Sequence, residues 1–282
     1  MSIFLKRYKD MGADVELFNL PVAIRTNTLK ISSTELKKRL EARKVKVKKI
    51  PFAREGFYVE SRFSIGATPE YLQGYYYVQE AASQLPVEVL DPTGVVLDCC
   101  AAPGGKTSQL AMYSDLVLAF EKSHKRLQAL KNNLERLSIS NCILYNYDVR
   151  KIEGVFDHIL VDAPCSGNMF IDKKWLRKQT LSNIKSRSKI QKEILGNMIK
   201  CLAPGGELVY STCSLEPEEN EMVVDWALKS FDVKLLDIDC IGSPGLTKFQ
   251  GKKFNKSLKK CRRLWPNKTK TQGFFIAKIQ ND

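Results

Sequence analysis

The stretch GVVLDCCAAPGGKTSQLAMY, residues 94–113, contains the pattern that most clearly indicates the fold class. Its first part, GVVLDCC (94–100), is an apolar run typical of a buried strand. It continues through two adjacent glycines into GKTSQLAMY (105–113), which predicts a helix. A strand that passes through a glycine-rich turn into a helix is the repeating unit of doubly wound α/β sheets.

The same alternation of strand and helix continues along the rest of the chain. Further strands are predicted at LVLAFEK (116–122), CILYNYD (142–148), FDHILVDAP (156–164), GELVYSTCS (206–214), VKLLDID (233–239) and GFFIAKI (273–279). Helices are predicted at VQEAASQLPVEVL (78–90), SHKRLQALKNNLERLS (123–138), LSNIKSRSKIQKEILGNMIKCL (181–202) and EPEENEMVVDWALKS (216–230). We therefore expect residues 67–282 to form a doubly wound sheet, with its ligand site at the carboxyl ends of the parallel strands.

Residues 1–66 predict a separate, smaller α/β module. PVAIRTN (21–27), VKVKKIPF (45–52) and GFYVES (56–61) resemble strands, and SSTELKKRLEARK (32–44) resembles a capped helix. Such a basic unit of sheet and helix can grip RNA. The alternative is that these residues only extend the main sheet.

Composition excludes several classes of protein. No apolar run approaches the roughly 18–20 residues that span a bilayer, and the first twelve residues lack the apolar core of a signal peptide. The eight cysteines form no C-x-x-C pair, and His124 and His158 have no ligand spacing to them. We therefore expect a cytoplasmic protein with reduced thiols, no membrane contact and no metal.

The positive charge is concentrated in two stretches. The formal net charge is +14, with eight basic and no acidic residues from Lys173 to Lys192, and ten basic and no acidic residues from Lys248 to Lys270. Unbalanced stretches of this kind indicate a polyanionic partner, for which nucleic acid is the leading candidate. The second stretch contains three aromatic residues that either stack on bases or pack inward, namely Phe249, Phe254 and Trp265.

The glycine-rich turn does not match a common nucleotide motif. It is neither G-x-G-x-x-G nor G-x-x-x-x-G-K-[ST]. Gly104 and Gly105 would let backbone amides approach a carboxylate at a helix start. Glu121, at the end of the second strand, can accept from a ribose, and Asp148, at the end of the third, from an adenine amino group. This combination predicts S-adenosylmethionine, although Glu121 alone is also compatible with a helix cap.

Three motifs together resemble the RNA cytosine-C5 methyltransferases. They are CAAPGGKT (100–107), DAPCSG (162–167) and STCS (211–214), and the resemblance extends over residues 20–282. RTNTLK (25–30), VQEAAS (78–83) and the terminal GFFIAKI belong to it as well. The resemblance implies a class I methyltransferase with a Rossmann-like doubly wound sheet, a small N-terminal α/β RNA-binding module, S-adenosylmethionine as methyl donor and RNA as acceptor.

The resemblance also implies roles for individual residues. The donor loop is formed by Cys100, Ala101, Ala102, Pro103, Gly104, Gly105 and Lys106. Glu121 is implied as the ribose ligand, and Arg126 and Asp148 as further donor contacts. Asp162 is implied to meet both the donor and the target base. The family's two cysteines correspond to Cys213, which attacks, and Cys165, which assists release.

The chemistry explains why two thiols are useful. Carbon 5 of cytosine is a poor nucleophile until a thiolate adds to carbon 6. Asp162 would stabilise the resulting charge at base nitrogen 3, and Lys106 would add positive potential near the thiolate and the base. Sequence reasoning alone leaves Cys165 open as the attacking group, because DNA cytosine methyltransferases use a Pro-Cys nucleophile. It also leaves open that one of the two cysteines only packs.

Two departures from the family pattern bear on the substrate. Residues 168–175, NMFIDKKW, replace a glycine-rich segment, and Asn267 stands where a histidine is expected. We expect both to face RNA. The substrate expected is tRNA, with ribosomal RNA as the alternative, and the protein is expected to act as a monomer. Competing functions are a non-catalytic RNA-binding assembly factor and an amino-group methyltransferase, although DAPC is not the motif of the latter.

Overall fold

The computed structural model describes residues 2–282, which form two main sheets with their helices. The N-terminal elements are α1 (Ile3–Asp10), β1 (Val22–Thr26), α2 (Ser33–Ala42), β2 (Lys46–Lys49), β3 (Gly56–Glu60), α3 (Pro69–Leu72) and β4 (Tyr76–Val78). The four strands form an antiparallel sheet in the order β2-β3-β1-β4. Its apolar core joins Ile24 and Phe57 to Leu36 and Leu40, which lie one turn apart on α2.

The N-terminal sheet extends beyond residue 66. Strand β4 pairs with β1, and Ile24 lies opposite Val78. We therefore place the end of this sheet after Val78, because a boundary at residue 66 would remove one of its edge strands. The alternative that these residues extend the main sheet is wrong, since the two sheets share no strand.

The remaining elements form the larger part of the chain. They are α4 (Leu85–Leu90), β5 (Val95–Asp98), α5 (Gly105–Leu110), β6 (Leu116–Phe120), α6 (His124–Leu137), β7 (Cys142–Tyr145), β8 (Phe156–Asp162), α7 (Trp175–Lys178), α8 (Leu181–Lys200), β9 (Leu202–Thr212), α9 (Glu221–Ser230), β10 (Val233–Leu235), β11 (Ser243–Pro244), β12 (Lys248–Phe249), β13 (Lys252–Lys253), β14 (Arg262–Leu264), α10 (Pro266–Thr269) and β15 (Phe274–Asn281). Short 3₁₀ segments lie at Ile65–Ala67, Ala81–Gln84, Val149–Lys151 and Lys256–Lys260.

The main sheet has the strand order β11-β14-β15-β9-β8-β5-β6-β7, with β10 paired to β15. Strands β9, β8, β5, β6 and β7 are parallel, and β15 is antiparallel to β9. The chain proceeds from β5 outward to β7 and then returns to β8 on the other side of β5. This reversal creates a crevice at the carboxyl ends of β5 and β8, where doubly wound folds bind their ligands.

Alternating residues of the central strands pack into different cores. On β8, Ile159 and Val161 join a cluster with α8 and α9, while Leu160 joins a cluster with α4, α5 and α6. On β9, Leu208 and Val209 divide in the same way. Both faces of the sheet are therefore covered by helices, which confirms the predicted Rossmann-like doubly wound α/β fold.

Several predicted elements differ in extent. Helix α9 begins at Glu221 rather than at residue 216, and residues 216–220 form a buried loop, so Glu221 is the acidic residue of its first turn. The predicted helix over 78–90 is divided into β4, a 3₁₀ turn and α4, whose first turn contains Pro86. The three aromatic residues of the second basic stretch are buried, so they pack inward and do not present stacking surfaces: Phe249, Phe254 and Trp265.

Buried polar contacts attach the N-terminal part to the larger part. Arg25 is 1% exposed and donates to the carbonyl oxygen of Gly105, 2.6 Å away, and to Ser108 Oγ at 2.7 Å. The Asn27 amide donates to the carbonyl oxygens of Gly74 and Leu137. The RTNTLK segment therefore holds the N-terminal sheet against the helix that follows the glycine-rich turn.

Candidate active site

The site lies in a cavity of about 770 Å³ at the carboxyl ends of the parallel strands. Nine of the predicted residues line it: Cys100, Ala102, Pro103, Glu121, Arg126, Asp148, Asp162, Cys165 and Cys213. A second cavity of about 240 Å³ lies beside the same loop and is lined by Ala101, Gly105, Lys106 and Asp162. Asp162 lines both cavities, whereas Gly104 lines neither.

The loop after β5 owes its shape to Gly104. This residue has a φ of +107°, and a Cβ atom there would lie 2.9 Å from Leu130 Cδ1. A side chain is therefore excluded both by the backbone conformation and by the contact with α6. Below the loop, Thr107 donates a 2.7 Å hydrogen bond to Asp98, whose pKa burial raises to about 6.

Glu121, the predicted ribose ligand, is a buried carboxylate that follows β6. It is 4% exposed and accepts from the backbone N–H of Ser123 at 2.7 Å and from Arg126 at 3.1 Å. Arg126 also donates to the carbonyl oxygen of Ala102 at 2.5 Å, so the ion pair connects strand β6 to the glycine-rich loop. The side chain that caps α6 is Ser123, not Glu121.

Asp148 is a carboxylate that lines the cavity and has two cationic neighbours. Arg150 donates to both of its carboxylate oxygens, and Lys122 lies 3.0 Å from one of them. Hydrogen bonds from Arg150 and Lys122 hold the Asp148 pKa well below its usual range. Sequence reasoning identified Asp148 but missed the two cations, because nothing in the local sequence shows where Arg150 points.

Asp162 stands between the two cavities and is fixed on both sides. Lys106 lies 2.7 Å from its Oδ2, and the Ser211 hydroxyl donates to its Oδ1 at 2.8 Å. Ser211 belongs to β9, which pairs with β8 directly at Asp162. The Lys106 ammonium is thereby held next to the carboxylate that is predicted to meet the target base.

The two predicted thiols lie side by side. The Sγ atoms of Cys165 and Cys213 are 2.6 Å apart, and both cysteines are free. The neighbouring Cys213 thiol, burial and the charge of Glu219 raise the Cys165 pKa well above its ordinary value. The ends of β8 and β9 therefore bring the two predicted cysteines to one point of the cavity.

The departing segment 168–175 supports both cysteine loops from behind. The Asn168 amide donates to the carbonyl oxygen of Cys213 at 2.8 Å, and the Trp175 indole donates to that of Ser166 at 2.7 Å. Asn168, Met169 and Trp175 are at most 2% exposed. The expectation that the whole segment faces RNA is therefore wrong for these three residues. Asn267 lies in α10 and is only partly exposed.

The first basic stretch reaches the mouth of the cavity through α8. Arg187 lines the cavity together with Ile190 and Ile194. Within residues 2–282, no carboxylate lies within ion-pairing distance of Arg187. The charge of Arg187 is therefore free to interact with an anionic ligand that enters the cavity. The sequence indicated a basic stretch here but not which of its residues borders the site.

The described residues offer no metal centre or membrane span. Between residues 2 and 282, no group of three or more His, Cys, Asp or Glu side chains is arranged to hold a metal ion. Over the same residues, no helix is long and apolar enough to cross a bilayer. The absence of a metal requirement stays a prediction.

Two family models together match most of the chain. Residues 87–280 match the family described as 16S rRNA methyltransferase RsmB/F, and residues 4–81 match the N-terminal domain of 16S rRNA methyltransferase RsmF. A crystal structure of a methyltransferase homologue from Pyrococcus horikoshii superposes with a TM-score of 0.87 at 42% identity, covering 99% of this chain and 90% of that one.

Curated relatives carry names from two substrate classes. A mouse 28S rRNA (cytosine-C(5))-methyltransferase is 41% identical over 92% of this chain, which spans about a third, 35%, of the mouse protein. A tRNA (cytosine(49)-C(5))-methyltransferase from Pyrococcus abyssi is 37% identical over 92% of this chain and 87% of its own length.

Proposed function

The chain belongs to the RNA cytosine-C5 methyltransferase family, and on that premise we propose that it methylates carbon 5 of a cytosine in RNA. The main support for the proposal is that two thiols and Asp162 line one cavity, while Lys106 pairs with Asp162 from the neighbouring cavity. Cys165 and Cys213 lie 2.6 Å apart, and Lys106 lies 2.7 Å from Asp162. Both cysteine-bearing loops follow strands that pair directly with one another.

The methyl donor is S-adenosylmethionine, and the residues present fit it. Glu121 offers a buried carboxylate for the ribose, and Asp148 offers an ionised acceptor for the adenine amino group. Cys100 and Pro103 line the same cavity next to them. When bound, the donor supplies an electrophilic methyl group on a sulfonium sulfur.

We assign the attack to Cys213. Its thiolate forms a bond to carbon 6 of the cytosine, the double bond between carbons 5 and 6 opens, and carbon 5 gains nucleophilic character. Lys106 and Asp162 would stabilise the charge that develops on the base. After carbon 5 has gained the methyl group, its proton passes to water and the bond to Cys213 breaks, while the Cys165 thiol donates a hydrogen bond to the departing sulfur. The double bond and the Cys213 thiolate are thereby restored. Cys165, beside Cys213, assists this release.

The target base has to leave its stack to reach these groups. A nucleotide in a duplex cannot approach a thiol at the bottom of a cavity, so the cytosine is flipped out or already single-stranded. Arg187 at the cavity mouth would contact the RNA backbone next to the target. The N-terminal module, with its exposed residues Lys46, Lys48 and Lys49, would hold a more distant part of the RNA.

The substrate that we propose first is tRNA. The Pyrococcus abyssi relative that carries a tRNA name matches along most of both chains. Ribosomal RNA is the second candidate, because the mouse relative is more similar, at 41% identity, and carries an rRNA name. Action as a monomer in the cytoplasm stays a prediction from the amino-acid sequence.

The competing functions make different predictions. An assembly factor without catalysis would not need Lys106, Asp162 and the two thiols in one place. An amino-group methyltransferase would label the exocyclic nitrogen and would need no thiol. The test is to incubate the protein with labelled S-adenosylmethionine and either unmodified tRNA or unmodified ribosomal RNA, and to digest the RNA to nucleosides. We expect 5-methylcytidine. Label in another nucleoside, or none with either RNA, would contradict the proposal.

A further inference from the structure

The carboxylate of Glu219 joins the two cysteine loops from beneath the cavity. Glu219 is 0% exposed and lies in the buried loop before α9. Its Oε1 accepts from the backbone N–H of Ser166, the residue after Cys165, at 2.9 Å. Its Oε2 accepts from the Ser166 hydroxyl, which lies 3.5 Å from the hydroxyl of Ser214, the residue after Cys213.

A second buried side chain completes this support. The Gln191 amide, 0% exposed on α8, donates 3.0 Å hydrogen bonds both to Glu219 Oε1 and to the carbonyl oxygen of Pro164. The residues on either side of Cys165 are thereby fixed by one carboxylate and one amide. On the other side, the Tyr210 hydroxyl donates to the Glu219 carbonyl oxygen at 2.6 Å, so Glu219 is itself held by the strand that ends at Thr212, directly before Cys213.

Burying the charged Glu219 carboxylate costs free energy, because the group loses its hydration. Burial raises the pKa of Glu219, and the hydrogen bonds from Ser166 and Gln191 oppose that rise. A neutral, well-packed side chain would avoid the desolvation cost. The carboxylate offers two oxygens that hold the backbone and the hydroxyl of Ser166 together, and its charge favours the protonated form of the neighbouring Cys165 thiol.

We propose that Glu219 is a positioning residue that holds Cys165 beside Cys213 and thereby controls release of the RNA after methyl transfer. The proposal rests on the proposed function and deepens it. Glu219 is fully buried and its carboxylate holds the residue after Cys165, so we expect the first covalent step at Cys213 to depend on it little. Its loss should act on the second half of the reaction, in which Cys165 takes part.

The first test measures release. Glu219→Gln removes the charge and one of the two acceptor oxygens with little change in volume, and Glu219→Asp keeps the charge but shortens its reach. With RNA and S-adenosylmethionine, we expect both variants to complete a first methyl transfer at nearly the wild-type rate. We expect a denaturant-stable protein–RNA adduct to accumulate about tenfold over wild type, the effect of losing one strong hydrogen bond.

A double variant separates positioning from general destabilisation. If Glu219 acts through Cys165, Glu219→Gln combined with Cys165→Ala should accumulate no more adduct than Cys165→Ala alone. If the double variant loses the first methyl transfer as well, or if Glu219→Gln accumulates no more adduct than wild type, the proposal is overturned. Glu207→Gln, which alters a carboxylate on β9 far from the thiols, is the matched control and should behave as wild type.

A second test needs no RNA. Alkylation by iodoacetamide at neutral pH, followed at the Cys165 peptide by mass spectrometry, reports the reactivity of this thiol. Removing the Glu219 carboxylate frees Ser166 and the loop that carries Cys165, so the alkylation rate at Cys165 should rise above that of wild type. An unchanged rate would overturn the proposal even if the enzyme is active. A changed rate in a protein that makes no 5-methylcytidine would retain the positioning role and refute the proposed function.

Discussion

Arg7 connects α1 to the loop after Cys213 through two buried ion pairs. This residue of α1 is 4% exposed, and its guanidinium lies 2.9 Å from Glu216 and 2.6 Å from Glu218. Both carboxylates belong to the buried loop that follows Cys213. Replacing Arg7 leaves two buried carboxylates without a counter-charge. Breaking a buried ion pair by removal of one partner costs about 3–5 kcal/mol, whereas an exposed pair contributes no more than about 1 kcal/mol.

The assay is urea unfolding of the full chain at pH 8, because burial raises the pKa of Glu216 to about 7 and this carboxylate is ionised beside Arg7 only above that value. Arg7→Met keeps an unbranched aliphatic side chain and removes the charge, together with the contact of the guanidinium carbon with the Phe249 ring, whose centre lies 4.9 Å away. We expect it to lose about 3–5 kcal/mol of unfolding free energy. Adding Glu216→Gln and Glu218→Gln removes the stranded charges and should restore most of that loss.

Two results would show that the stability of the protein does not depend on the buried ion pairs of Arg7. If Arg7→Met loses less than about 1 kcal/mol, the pair behaves as a solvated one. If the triple variant is as unstable as Arg7→Met, the loss comes from packing and not from the unpaired carboxylates. Lys9→Met on the same helix is the control, because its contact with Asp14 is exposed and 3.8 Å long.

Three further predictions concern the site. The pKa of Asp98 is raised to about 6, so the native state keeps a proton that the unfolded state releases near pH 4, and stability is lost as pH rises from 4 to 6. Asp98→Asn lacks this proton, so its unfolding free energy relative to wild type should rise by about 3 kcal/mol over that interval. A constant difference would contradict this. Glu121→Gln should weaken S-adenosylmethionine binding at least tenfold by calorimetry, since it removes the charged acceptor; an unchanged Kd would exclude Glu121 as the ribose ligand. Lys106→Met should slow methyl transfer about 10²–10³-fold while changing the Kd for S-adenosylmethionine little, because Lys106 lies beside Asp162 and outside the larger cavity; equal losses in both would contradict a role at the base.

The parallel core could be predicted because its determinants are local. Strand β5 has three consecutive apolar residues before Asp98, and α6 carries Leu130, Leu134 and Leu137 on one face, all of which are buried. Such patterns follow from the period of each element and survive tertiary packing. The positions of Glu121, Asp148 and Asp162 follow in turn, because the ends of parallel strands meet at one edge of the sheet.

The supporting contacts could not be predicted because they join distant segments. Glu219 reads as part of an acidic helix start, yet it is buried against Ser166, 53 residues away in the chain. Asn168 and Trp175 stand in a segment that looks polar and basic, but their side chains hold the backbone of both cysteine loops. Local propensity carries no information about which loop lies behind another, and tertiary packing decides it.

The last strand of the N-terminal sheet could not be predicted from the local sequence either. The strands up to residue 60 alternate clearly, whereas β4 has only three residues and follows a short helix. Its place in the sheet depends on pairing with β1, more than fifty residues earlier in the chain. A sequence boundary drawn where the alternation stops therefore falls before the last strand.

We assign the attack on the cytosine to Cys213 and the assistance of release to Cys165. The most direct measurement incubates wild type, Cys213→Ala and Cys165→Ala with labelled S-adenosylmethionine and unmodified RNA, and then separates denaturant-stable protein–RNA adducts from free RNA. We predict 5-methylcytidine from wild type, neither product nor adduct from Cys213→Ala, and an accumulating adduct from Cys165→Ala. An adduct that accumulates with Cys213→Ala instead would contradict this assignment and reverse the roles of the two cysteines.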